Sequence, residues 1–341
     1  MKKVFKSMLF VAMSLIVAGG FTACSEDEVK PTDKTKELIG PKPAKVVINV
    51  YEGHLHGYAG FHENKPYDGV KIMDKPQVFV FTMQNGKWVA DAKNPPYLYA
   101  MSYNQMHNSE ATVSHALDIK YYDEAGKLIN GQFIENGKSD HYQHFFVVEN
   151  QKAFPDFDKK LDNPANREFM RYDYVDPTPW NKTIHSGEGQ YNGLKDPLGF
   201  KGIASFGYSR QTCNLKIMLM ESYNKKNVRL KELEFRDNWG KPVEKYSKIP
   251  DWTPTPEQLK NEKWYPTITI PVMVYMDRNE LGEGEANVTL DMKEDEVPAF
   301  FKRLINTLKF SFNMTYKEAL TELYYRLNGE PAPHDNSGFW F

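Results

Sequence analysis

Seven of the nine histidines, His54, His56, His62, His107, His115, His141 and His144, fall between positions 54 and 144. The densest run is Glu52-Gly53-His54-Leu55-His56-Gly57-Tyr58-Ala59-Gly60-Phe61-His62. A neutral imidazole nitrogen is a good ligand for Zn, Cu, Ni or Fe. If the β-branched run Val46–Tyr51 continues as a strand through 56, His54 and His56 share a face, because strand side chains alternate with period two. Two imidazoles on one face form a chelating pair. Gly53, Gly57 and Gly60 permit a tight return that brings His62 or Glu63 to the same centre. Glu52 can add an oxygen ligand or orient a ring from behind. The second cluster, His141-Tyr142-Gln143-His144, supplies at most one ligand from a strand, since residues three apart point to opposite faces. His144 leads the apolar run Phe145–Val148, and His107 follows Met106, a pairing that serves copper or a haem iron. The expected metal set is therefore His54, His56, His62 and His144, with Glu52, His107 and His141 as possible additions. The bland alternative is that these histidines hydrogen-bond in polar pockets.

The elements that must position them read as mainly β. Short β-branched or aromatic runs recur at Val46–Tyr51, Gln77–Met83, Tyr97–Tyr103, Val113–Tyr122 and His144–Val148. Turn chemistries such as Gln84-Asn85-Gly86-Lys87 and Asp123-Glu124-Ala125-Gly126 separate them, which predicts an antiparallel sandwich or barrel-like domain over 44–180. Residues 154–198 are rich in Asp, Asn, Pro and Gly, and the domain boundary is placed near 180. A second, β-rich domain over 181–341 begins with runs at Ile203–Tyr208, Leu215–Met220, Val228–Phe235 and Thr267–Met276. A short helix is expected with Thr255 as its cap and Pro256 at its first position. The domain ends in two α-helices. Phe300, Phe301, Leu304, Ile305 and Leu308 recur at helical spacing in the first, and Thr315 with Glu318 forms a capping box for the second.

The chain has 341 residues with 43 Lys and Arg against 45 Asp and Glu, so nothing predicts a nucleic-acid partner. Lys2, Lys3 and Lys6 precede an apolar run from Met8 to about Phe21, too short to span a bilayer core of ~30 Å. It ends in Phe21-Thr22-Ala23-Cys24, which resembles a lipoprotein lipobox. The Ser25-Glu26-Asp27-Glu28 that follows resembles the acidic export tag of surface-exposed lipoproteins of Bacteroidetes-type bacteria. The resemblance covers about 28 residues. It implies a signal peptide at 1–23, lipidation of Cys24, and an outer-membrane, lipid-anchored, surface-exposed body on a flexible tether at 24–43. Loss of residues 1–23 removes three lysines and moves the formal net charge from −2 to −5. Cys213 is then the one thiol besides Cys24, in an apolar stretch that suits a small buried hydrophobe.

Three functions fit these features. The first is capture of a transition metal (Zn, Cu or Fe) or a haem-like chelate for an outer-membrane importer, an inference by analogy from the address. The second is glycan binding on aromatic platforms such as Trp180, Trp239, Trp252 and Trp264. The third is a zinc-dependent hydrolase, because Glu52-Gly53-His54-Leu55-His56 resembles the first metal motif of amidohydrolase-type barrels. Those barrels carry Asp where Glu52 stands and alternate strands with helices, an alternation this sequence lacks. Phosphate-loop, Gly-x-Ser-x-Gly and Cys-x-x-Cys patterns are all missing.

Overall fold

The computed structural model describes residues 38–56, 60–64, 72, 75–103, 113–154, 169–232, 248–281, 288–328 and 338–341. The signal segment, Cys24 and most of the tether, together with His107 and Trp239, lie outside these residues. Sixteen strands are described: β1 Lys45–His56, β2 Gly60–Glu63, β3 Gln77–Gln84, β4 Lys87–Ala90, β5 Leu98–Ser102, β6 Ser114–Tyr122, β7 Tyr142–Ala153 and β8 Met170–Tyr174 come first. After them come β9 Pro177–Thr178, β10 Gln190–Tyr191, β11 Lys201–Phe206, β12 Gln211–Glu221, β13 Leu230–Glu232, β14 Lys248–Pro250, β15 Lys263–Trp264 and β16 Ile268–Asp277. The helices are α1 Asn130–Ile134, α2 Pro256–Asn261, α3 Ala299–Phe312 and α4 Tyr316–Asn328. The fold is mainly β with a helical pair at 299–328, as the sequence predicts.

Twelve strands join one sheet, whose main path runs β15-β12-β16-β5-β11-β6-β1-β3-β4, with β2, β7 and β8 attached to β1, β12 and β11. Along this path β5, from before residue 180, is inserted between β16 and β11, from after it, and Leu38–Phe341 is one compact unit. The two halves therefore share one sheet and do not form the two domains expected. The physical reason is β5, which lies parallel between β16 and β11 and so ties an early strand between two late ones. Every other pairing in the sheet is antiparallel.

Central strands are buried on both faces. On β16, Ile268, Ile270, Val272 and Val274 enter one core cluster, while Met273 and Tyr275 enter a second. That second cluster also takes Phe301, Leu304, Ile305 and Leu308 of α3, the residues whose spacing marked that helix, and Ala319, Leu320 and Leu323 of α4. Both predicted caps form. Thr255 Oγ1 accepts from the Gln258 amide at 3.0 Å while Gln258 Oε1 accepts from the Thr255 amide at 2.9 Å. At the start of α4 Glu318 accepts from the Thr315 amide at 2.8 Å. Among the described residues no helix is long and apolar enough to cross a membrane. Cys213 is buried on β12 in the first core cluster, and burial pushes its thiol up to about 12.

Lys226 carries a buried charge. Its buried ammonium donates to the carbonyls of Ser139, Tyr142 and Pro197 at 2.9, 2.8 and 2.9 Å and pairs with Asp196 at 2.5 Å. Burial lowers its pKa and Asp196 opposes that shift. One side chain thus joins the entry to β7, the loop before β11 and the segment after β12.

Candidate metal centre

The site is built on the β1–β2 hairpin, where β1 runs past its pairing with β3 and β6. Cross-strand partners in an antiparallel pair share a face. His54 lies opposite His62 in this register, and His56 lies two residues from His54 on the same face. The imidazoles of His54, His56 and His62 therefore converge, each offering a ligand nitrogen, with all three nitrogens within 4.8 Å of one another. His62 is buried, His54 half-buried and His56 exposed. Gly53 makes the approach possible. A Cβ there would stand 2.1 Å from the His62 carbonyl oxygen and 2.4 Å from the Phe61 ring, so any side chain would push β2 away from β1.

The protonation pattern suits ligation. Asn64 Oδ1 can only accept, so the 2.6 Å contact is donated by His54 Nδ1–H. Neutral His54 then carries its lone pair on Nε2. Asn64 is itself held by its amide's 2.9 Å bond to the Glu52 carbonyl. The Nε2 atoms of His54 and His56 lie 2.9 Å apart. Two nitrogens bound to one ion at ~2.0–2.1 Å stand roughly 2.9–3.4 Å apart for angles from 90° to tetrahedral, and ~4 Å apart when trans. The observed separation is that of neighbouring ligands on one ion. An ion bound there replaces the hydrogen bond between the two rings and sits to one side of the line joining the two nitrogens.

The remaining expected ligands go elsewhere. His144 is fully buried, and its Nδ1 lies 2.9 Å from the Leu198 carbonyl and its Nε2 3.0 Å from the Tyr121 hydroxyl. Both nitrogens are committed to the core, so His144 is not part of the centre. Burial pulls its pKa down to about 4, as it does for His115. His141 sits at the entry to β7 with Nδ1 3.1 Å from the Ser222 carbonyl, remote in the fold from β2. Glu52 faces His115 across the β1–β6 pair at 4.0 Å rather than joining the triad. Burial raises its carboxyl above the usual range, with Arg326 and Arg278 opposing.

The His144 environment makes stability pH-dependent with a definite sign. Its folded pKa lies below the unfolded value, so between pH 6.5 and about 4 the unfolded state binds a proton that the folded state refuses. The stabilisation is complete above pH 6.5 and is lost as pH falls toward 4. At 1.36 kcal/mol per unit the swing is about 3 kcal/mol. Denaturant unfolding of wild type and His144→Gln at a series of pH values will show the difference between them closing by about that amount from pH 7 to pH 4. Parallel curves would contradict this.

Two features escaped sequence reasoning. Asn64 carried no signal beyond a short amide at a strand end. Residues 338–341, Gly-Phe-Trp-Phe, return to the hairpin: Trp340 bridges to His62 along the backbone, and its indole stacks on the His62 ring at 4.1 Å and 20°. Three aromatics in a row were the available clue. Of the tryptophans considered as glycan platforms, three lie among the described residues, and each is at least partly buried. Trp252 is buried under Lys231, Trp264 is half-buried against Phe145, and Trp180 is half-buried.

No protein-family model matches the chain, no curated protein is similar to it at a significant level, and no solved structure matches it.

Proposed function

We propose that the protein is a surface-exposed lipoprotein of the outer membrane that captures a transition-metal ion at His54, His56 and His62 for delivery to an importer. The observation that carries the metal reading is the convergence of three imidazole nitrogens within 4.8 Å on one hairpin, with the His54 tautomer set by Asn64. A three-histidine set with an exposed edge at His56 suits Zn or Cu, leaving a coordination position open to solvent or to a donor that arrives with the metal. The same geometry favours a directly coordinated ion over haem. The two closest nitrogens are 2.9 Å apart on one side of the centre, whereas a haem iron takes its axial ligands from opposite sides. The lipobox at Cys24 and the acidic Ser25-Glu26-Asp27-Glu28 support anchoring and surface exposure, and the importer follows by analogy from that address. Neither capture nor delivery requires a catalytic base.

The chain from Ser25 onward contains the whole compact unit and suits a direct titration. Zn(II) added against a chromophoric chelator will saturate at one equivalent per chain, and affinity will fall as pH drops and protons compete for the imidazoles. Absence of saturable Zn(II) and Cu(II) binding would overturn the assignment.

A further inference from the structure

The triad lies on two strands, yet the aromatic ring stacked on His62 comes from far along the chain. Trp340 is sandwiched: one indole face covers His62 at 4.1 Å and 20°, the other is covered by His185 at 3.8 Å and 12°. The ring of His56 also faces the indole, at 5.7 Å and 22°. The Trp340 Nε1–H is buried and makes no hydrogen bond within the described residues. Stacking, not a hydrogen bond, therefore sets the orientation of the ring.

The segment that carries it is tied down on both sides. The Glu63 amide donates to the Phe339 carbonyl at 3.0 Å, and the Phe339 amide donates back to Glu63 Oε2 at 2.8 Å. Phe339 stacks on Tyr51 at 3.9 Å and 5°. Phe341 is buried against Phe61, and its carbonyl accepts from the His185 amide at 2.9 Å. These contacts fix Trp340 as a wall behind His62. Asn64 does the equivalent task for His54 by a hydrogen bond.

We infer that Trp340 is the positioning residue for the third ligand: its indole holds the His62 imidazole edge-on to His54 at 76° and tilted by 39° to His56, and it keeps His185 out of the centre. The inference rests on the reading of the triad as a metal centre. With the back of His62 closed by the indole, the ion enters past the exposed His56. Trp340 touches no metal itself and acts through His62.

The test compares wild type with Trp340→Leu, which keeps apolar volume but loses the plane, and with Trp340→Phe, which keeps a ring. Zn(II) affinity and the visible Co(II) spectrum are read on each chain from Ser25 onward, with thermal unfolding as the fold control. Trp340→Leu is expected to bind Zn(II) about 10–100-fold more weakly, the range typical of residues that orient a metal ligand. Its Co(II) bands will shift toward those of His62→Ala. Trp340→Phe is expected to stay within about threefold of wild type with wild-type bands. In a His62→Ala background Trp340→Leu will add no further loss, as a residue acting through His62 requires. A folded Trp340→Leu with wild-type affinity and bands would overturn the inference. If Trp340→Leu does not fold, Trp340→Phe decides: unchanged binding supports the stack and a loss overturns it. Failure of wild type to bind either metal defeats the metal reading itself, whereas wild-type binding indifferent to Trp340 defeats only this inference.

Discussion

His54→Ala combined with His56→Ala will leave a folded protein that has lost at least about 10³-fold in Zn(II) affinity. Structural zinc sites gain roughly 10–16 kcal/mol from four ligands, so each ligand is worth on the order of 10²-fold. Removing two of three leaves His62 alone, a single imidazole with no chelating partner. The fold survives because neither side chain belongs to a core cluster: His56 is exposed and His54 half-buried on the end of β1 that extends past its pairing with β3 and β6. His144→Gln is the matching control. Its ring nitrogens are spent on Tyr121 and Leu198, so its loss moves stability and leaves Zn(II) affinity unchanged. A folded double variant that binds Zn(II) like wild type would remove the triad from the account.

Lys226→Met will produce the largest loss of stability, about 3–5 kcal/mol, with metal affinity unaffected. The apolar stem is conserved, so the change isolates the ammonium. Three carbonyls, those of Ser139, Tyr142 and Pro197, lose their donor, and Asp196 loses its counter-charge. Removing one partner of a buried, hydrogen-bonded charge costs far more than the pair contributes net, because the groups left behind are desolvated without compensation. For a unit of ~300 residues at about 2.1 cal/mol/K per residue, this corresponds to a fall of roughly 5–8 °C in Tm. Asp196→Asn will cost much less, since the three carbonyl bonds remain. Calorimetry on the two variants checks both values. A Lys226→Met loss under about 1 kcal/mol would show that the network is not what joins β7 to the segments around it.

The sequence made the near neighbours of the site legible and hid the distant ones. Period-two alternation placed His54 and His56 on one face, and the glycines around them foresaw the return of His62. These are local rules, and β1 and β2 obey them. His144 failed because its partners, Tyr121 and Leu198, lie 23 and 54 positions away, so nothing local separates a core imidazole from a ligand. Trp340 was missed for the same reason, being brought to His62 only by the fold. The helices and their caps were legible because Thr255 with Gln258 and Thr315 with Glu318 satisfy local donors. The boundary near 180 was not, because strand order is a long-range property. The run Leu98–Ser102 gives no sign that it will lie parallel between Lys201–Phe206 and Ile268–Asp277.

Three imidazoles binding one ion give a distinct signature in X-ray absorption at the metal edge of the one-equivalent Zn(II) complex. The expected spectrum has a nitrogen shell at ~2.0–2.1 Å with the multiple-scattering pattern of three histidine rings, falling to one ring in the His54→Ala, His56→Ala variant loaded with excess metal. An oxygen-only shell, or a histidine count unchanged by that double substitution, would contradict it.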